Sequence, residues 1–219
     1  MRKIVTGAFV SLDGVMQAPG GPGEDPSGGF RFGGWIVPLC DAVTGAAIGE
    51  SFATPFDLLL GRRTYDIFAA HWPRIPTDPA ARGYDAGNAD IARKFNAATK
   101  YVATHRPESL TWQHSRALGT DVVAALRELK AQDGPPLLTQ GSSELIQILL
   151  ANDLIDELRL QTFPVVLGRG KRLFGDSAAP AAFKVTKSIV SPSGVVVATY
   201  ERAGAVQTGS FLLDSSTEA

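Results

Sequence analysis

The 219-residue chain is 44% hydrophobic and 20% charged with a formal net charge of -1, the composition of an ordinary globular protein within the size of one domain. No run reaches the ~18 apolar residues of a membrane span, and the near-neutral charge gives no general field for nucleic acid, so neither is an expected partner. The single cysteine, Cys40, excludes an internal disulfide and a multi-cysteine metal site, fits a reducing cytoplasm, and is expected to pack as a small hydrophobe.

The first predicted strand covers 3–10, and Ser11-Leu12-Asp13-Gly14 interrupts its apolar run too early for a signal peptide. Asp13 reads as a turn residue, or as an acid that binds a substrate hydroxyl or steers a proton. Residues 18–29, rich in Gly and Pro, have no regular pattern and are expected to form a lid or a disordered cover. A weak helical segment follows at 38–52, softened by Gly45 and Gly49, with Asp41 either its N-cap or a second acid beside the lid.

Asp57 to Gly61 predicts a buried strand that runs straight into Arg62-Arg63-Thr64. Gly61 lets the backbone approach a ligand, Thr64 can cap the next helix, and Arg62 and Arg63 can fork onto phosphate oxygens. The turn reads as a phosphate cradle at a helix start, although an ordinary turn with solvated arginines fits the same residues. Trp72 to Asn88 is irregular, and a strand over 99–104 then ends in Thr104-His105-Arg106, a second basic loop that also fits plain solvation.

Thr120 precedes an amphipathic helix over 121–129 with apolar residues at 122, 125, 126 and 129. The strand over 136–140 leads into Gly141-Ser142-Ser143, whose amides and hydroxyls can hold another phosphate or simply cap the helix at 142–150. After a strand over 155–163 comes the basic loop Gly168-Arg169-Gly170-Lys171-Arg172, expected to stay in water. Strands over 183–190 and 194–202 flank Ser191-Pro192-Ser193-Gly194 as an antiparallel hairpin, and 203–219 is a polar extension with only Phe211-Leu212-Leu213 to bury.

This alternation predicts a three-layer α/β domain over 1–202, with a mixed, mostly parallel sheet flanked by helices and closed by a C-terminal antiparallel hairpin. Three anion-friendly turns in a chain without overall positive charge point to a multiply phosphorylated ligand gathered at the carboxyl ends of strands. His71, His105 and His114 are scattered, so no metal site is expected, and no G-x-S-x-G nucleophile motif occurs.

Taken in order, Ser11-Leu12-Asp13-Gly14, Leu60-Gly61-Arg62-Arg63-Thr64-Tyr65, Gln140-Gly141-Ser142-Ser143, and Asp156-Glu157-Leu158 with Pro164 to Phe174 resemble a known family. The chain is similar over residues 2 to 202 to the dihydrofolate reductase superfamily, and within it to the C-terminal reductase domain of the bifunctional riboflavin-biosynthesis deaminase-reductase. The resemblance implies NADPH as cofactor. Gly61, Arg62, Arg63 and Thr64 would meet its phosphates, Thr104, His105 and Arg106 the adenosine 2′-phosphate, and Gly141, Ser142 and Ser143 the pyrophosphate and nicotinamide ribose. It further implies hydride transfer to a heterocyclic or ribosyl substrate, a phosphoribosylamino-pyrimidine in riboflavin-type relatives and dihydrofolate in folate relatives, with Asp13 and Asp41 as candidates for orienting substrate or supplying a proton. A nucleotide-binding homologue without turnover is the rival reading. Relatives commonly form homodimers, so a homodimer is expected. Two departures stand out: Gln140 replaces a glycine of the paired or tripled set, and no H-x-E with P-C-x-x-C accompanies the reductase-like part, which is therefore expected to stand alone.

Overall fold

The computed structural model of the protein describes residues 1–211. In chain order its elements are β1 (Ile4–Ser11), α1 (Ala42–Ser51), β2 (Asp57–Gly61), α2 (Arg62–His71), α3 (Ala86–Ala97), β3 (Lys100–Ala103) and β4 (Ser115–Ala117). Then follow α4 (Val122–Ala131), β5 (Leu137–Thr139), α5 (Ser143–Ala151), β6 (Glu157–Phe163), β7 (Phe183–Val190) and β8 (Val196–Arg202).

The strands form one eight-stranded sheet in the order β4-β3-β2-β5-β1-β6-β8-β7. Every neighbouring pair from β4 to β6 is parallel, while β8 runs antiparallel to both β6 and β7. The mixed sheet and its C-terminal hairpin are those the alternation predicts. Chain reversal puts the later strand β8 inside and leaves β7 as the edge.

Side chains of the central strands alternate between two cores, as the twofold period of a strand demands. Ile4, Leu59 and Leu137 face α4 and α5, where they meet Leu126, Leu145, Ile146 and Leu149. Their neighbours Val5, Leu58, Leu60 and Leu138 face the other way, onto Phe52, Tyr65 and Phe95 beside α1, α2 and α3. A sheet buried on both faces explains why β2 reads as the unbroken run Leu58-Leu59-Leu60.

Four expectations need correction. The helix α3 and the strand β4 arise where no element stood out, because α3 buries only Ala89, Ala92 and Phe95, and β4 is a three-residue Ser-Arg-Ala edge. Cys40 is exposed rather than packed. The Gly/Pro segment 18–29 is an ordered cover: Ala18, Phe30, Trp35 and Ile36 form a third core with Phe163 and Val195, and Trp35 Nε1 donates to the Gln17 carbonyl at 2.9 Å. Thr64 does not cap α2; the N-cap is Gly61 and the helix begins at Arg62. Residues 203–211 are exposed, and Leu212 and Leu213 of the expected apolar tail lie outside the described residues.

At the opposite end of the sheet from the carboxyl ends of these strands, Lys100 is fully buried at the start of β3. Its Nζ donates to the Asn96 carbonyl at 2.8 Å and the Gln113 carbonyl at 3.1 Å, and lies 4.2 Å from the Trp112 ring centre. Burial lowers this amine to about 8, below the ~10.4 of an exposed lysine. Between those values the unfolded chain binds more protons than the folded one, so stability rises with pH there. Thermal unfolding of wild type and Lys100→Met from pH 7 to pH 10 should show wild type gaining on the variant by a few degrees, and a constant gap would refute the buried charge.

Candidate active site

One cleft of about 880 Å³ opens at the carboxyl ends of β2, β3 and β5, beside the point where β1 leaves the order of its neighbours. This is where open α/β sheets collect ligands. Gly61, Arg62, Arg63, Thr64, Thr104, His105, Arg106, Gly141, Ser142 and Ser143 all line it, so three turns separated in sequence meet at one surface.

Close backbone approach holds the turns together. A Cβ on Gly61 would overlap the Ser142 hydroxyl and lie 2.9 Å from the Ser142 Cβ. One on Gly141, whose φ of 96° already favours glycine, would lie 3.3 Å from Thr64 Oγ1. The Gly141–Ser142 peptide is cis. Gln140 fills the adjoining floor, its side-chain amide occupying the space a Cβ on Gly7 would need.

Arg62 ties the third turn to the other two. Its Nε donates to both Asp66 carboxylate oxygens at 2.9 and 3.0 Å, and its Nη1 to Ser109 Oγ at 2.6 Å and the Arg106 carbonyl at 3.2 Å. The Asp66 hydrogen bond raises the Arg62 guanidinium still further above its ordinary value. Arg62 therefore braces the 104–109 loop, while His105 and Arg106 stand exposed at the rim.

Helix capping separates this cleft from the rest of the fold. Asp41, Asp85 and Asp121 accept hydrogen bonds from first-turn amides of α1, α3 and α4. Among the described residues no side chain caps α2 at Gly61 or α5 at Ser142, and both helices begin in the cleft. Their first amides keep the partial positive charge that draws an anion.

The ordered cover is latched by Asp25. Its carboxylate meets Arg63 Nη2 at 2.9 Å and Lys171 Nζ at 2.8 Å, and accepts from the Ser27 hydroxyl at 2.6 Å. Against the cost of burial, the Lys171 and Ser27 hydrogen bonds hold Asp25 below the usual carboxylate range. Lys171, expected in water, is thus part of the cleft wall. Neighbouring Glu24 also lines the cleft, and burial holds its carboxyl above the usual range even though the Gly20 amide donates to it at 2.7 Å.

Asp13 and Asp41 lie outside the cleft lining. Asp13 accepts from the Ser11 hydroxyl and the Leu167 and Gly168 amides, bonds that draw it down to about 2 and fasten the β1 turn to the 164–172 loop. Asp41 caps α1 and accepts from the Ser193 amide, with the Thr44 amide the main cause of its lowered pKa. Four acids do line the cleft: Asp66 on α2, bonded to Arg62, Glu144 in the first turn of α5, and Glu24 and Asp25, which sit in the Gly/Pro segment and have no periodic signal. The Asp25-Pro26-Ser27 turn signature was their only trace. Among the described residues there is no group of three or more His, Cys, Asp or Glu that could hold a metal ion, and no helix is long and apolar enough to cross a membrane.

Two Bacillus subtilis proteins are similar in sequence along most of the chain. The uncharacterized protein YyaP is 25% identical over 204 residues, covering 91% of this chain and 94% of its own, and the uncharacterized protein YwjB is 27% identical over 176 residues, covering 79% and 83%. Solved structures share the fold. A Shewanella sp. PV-4 protein assigned to riboflavin biosynthesis superposes with TM-score 0.57 at 22% identity, covering 92% of this chain and 99% of its own. A pyrimidine reductase-like protein of Corynebacterium diphtheriae gives 0.56 at 12%, covering 92% of each chain. The diaminohydroxyphosphoribosylaminopyrimidine deaminase/5-amino-6-(5-phosphoribosylamino)uracil reductase of Thermotoga maritima gives 0.55 at 16%, with 92% of this chain matching 57% of that longer one. The sequence matches the RibD C-terminal domain over residues 2–197, and the protein belongs to that family.

Proposed function

We propose that the protein is an NADPH-dependent reductase of the riboflavin-biosynthesis reductase type, which passes a hydride to an electrophilic carbon of a heterocyclic or ribosyl substrate. The observation that carries this reading is the meeting of two uncapped helix starts, α2 and α5, at a floor kept open by Gly61 and Gly141. A dinucleotide pyrophosphate suits that floor, because its oxygens need several amide donors at close backbone distance. Arg106 at the rim supplies charge for a 2′-phosphate, and Arg62 holds its loop, which also carries His105, in place.

The cofactor supplies the hydride, and the protein positions both reactants and delivers the accompanying proton. Glu24 is our choice for proton donor: it lines the cleft, and its burial favours the protonated form that a general acid needs. The cover over 18–36, latched by Asp25 to α2 and to the basic loop, excludes water from the reacting carbon.

Fluorescence titration with both dinucleotides tests the cofactor. Arg106→Ala should weaken NADPH about tenfold, the worth of one charge-assisted hydrogen bond, and leave NADH nearly unchanged; equal loss would remove the 2′-phosphate assignment. Gly61→Ala should weaken both dinucleotides by pushing Ser142 away, and Gly61→Ala combined with Ser142→Gly should recover much of the affinity. No recovery would mean the close approach is not what the cofactor uses. Glu24→Gln should lower kcat about a hundredfold or more with the NADPH affinity intact, and should abolish the limb on which wild-type rate falls as pH rises. A pH profile unchanged by the substitution would exclude Glu24 as the acid.

A further inference from the structure

Gln140 is where the sequence departs from the glycines of its relatives, and the fold gives that departure a place. It follows β5 directly and lines the cleft together with Gly7, Ala8 and Phe9 of the neighbouring strand β1. Its side-chain amide rests against the Gly7 backbone: a Cβ on Gly7 would lie 2.4 Å from Gln140 Nε2 and 3.1 Å from Gln140 Cδ. A larger residue at position 7 would push the amide aside, so the glycine of β1 and the glutamine after β5 fit as a pair. The flanking residues hold the backbone that carries it, since Thr139 Oγ1 donates to the Gly141 carbonyl at 2.7 Å.

The amide is positioned but unused. Among the described residues, three other glutamines are buried or half-buried, and each donates its amide to backbone carbonyls: Gln17 to Asp25 and Ser27, Gln147 to Arg172 and Leu173, and Gln161 to Thr44. No described residue hydrogen-bonds to the side chain of half-buried Gln140. Nor is it sealed in. The buried side-chain atoms without a partner are Thr6 Oγ1, Trp72 Nε1 and Gln161 Oε1, so the donor and acceptor of Gln140 are reachable from the cleft it lines. A primary amide presents N–H and C=O side by side in one plane. The group that satisfies both at once presents C=O and N–H side by side in return, as a carboxamide or a ring lactam does. Once water is expelled, a ligand without that edge leaves the amide unpaired, which costs binding free energy.

We infer that Gln140 selects a ligand of this cleft by its amide edge, pairing its own N–H and C=O with the C=O and N–H of a carboxamide or lactam. Two sources offer that edge, the carboxamide of a nicotinamide ring and the lactam of an oxo-pyrimidine ring. The inference rests on the reductase reading for these two candidates, and not for the edge itself. The contact is between neutral groups, so its contribution does not change with salt, in contrast to any phosphate held at the helix starts.

Calorimetric titration of the full chain with two matched pairs of ligands tests it. NADP⁺ and its 3-acetylpyridine analogue differ in the carboxamide N–H donors, and 5,6-diaminouracil and its 1,3-dimethyl derivative differ in the lactam N–H. Wild type should prefer the amide-bearing member of a pair about tenfold, by a ratio that salt leaves unchanged. Gln140→Met, which keeps the length of the side chain, should bring that ratio near one at unaltered thermal stability, and Gln140→Ala serves as a second variant. A response of the dinucleotide pair assigns the edge to the carboxamide, and a response of the uracil pair assigns it to the lactam. A wild-type ratio near one in both pairs would overturn the inference, as would a ratio that survives both substitutions. If the uracil pair responds and NADP⁺ does not bind, the role of Gln140 stands and the reductase reading falls. If NADP⁺ binds and neither pair responds, the reductase reading stands and the inference falls.

Discussion

The neighbouring strands β2 and β5 send their chains to opposite faces of the sheet, into α2 and α5, yet the two helix starts touch at the carboxyl edge, and they can do so because residue 61 carries no side chain. Any Cβ at Gly61 would force Ser142 away and open the joint between the two turns. Once the joint is closed, Gly141 must sit against Thr64, and Arg62 is aimed at the 104–109 loop. The cleft floor is therefore a consequence of backbone packing, and among the described residues no side chain caps the first amides of either helix that starts there.

The cover depends on a different kind of contact. Its hydrophobic half, Phe30, Trp35 and Ile36, packs in one core with Phe163. Its other half is set by one carboxylate that bridges two cations from distant segments, Arg63 on α2 and Lys171 in the basic loop. A buried acid is stable only while its partners remain. Asp25 therefore couples the cover, the start of α2 and the loop after β6 into one electrostatic unit, which any anion near Arg63 must share.

Much of this was legible in the sequence, and the failures have physical causes. The central strands announce themselves because burial on both faces leaves unbroken apolar runs such as Leu58-Leu59-Leu60. The three turns were readable as turns because Gly, Ser and Thr gather where apolar strands end, and that they meet at one cleft is what the fold adds. Helix α3 was missed because alanines at 89 and 92 let it pack closely without a hydrophobic stripe. Asp13 and Asp41 stood out as acids near turns, yet an aspartate before a glycine or a helix is the same symbol whether it binds a ligand or its own backbone, and here backbone amides take both. Glu24 and Asp25 were hidden for the converse reason: the ion-pair partners of Asp25, Arg63 and Lys171, are remote in sequence, and a Gly/Pro loop has no period to indicate which way a side chain points.

The two ends of the cleft are under different constraints, and this bears on how family membership should be read. At the floor, the participating groups are backbone amides and missing side chains, so a substitution there disturbs helix and sheet geometry together. Elsewhere the cleft is lined by side chains such as Ile48 of α1 and Ile91 of α3, helices that do not begin at the floor. Those side chains can change while the sheet and its turns stay as they are. A shared fold thus fixes the geometry of the floor far more readily than the chemistry of what the cleft takes.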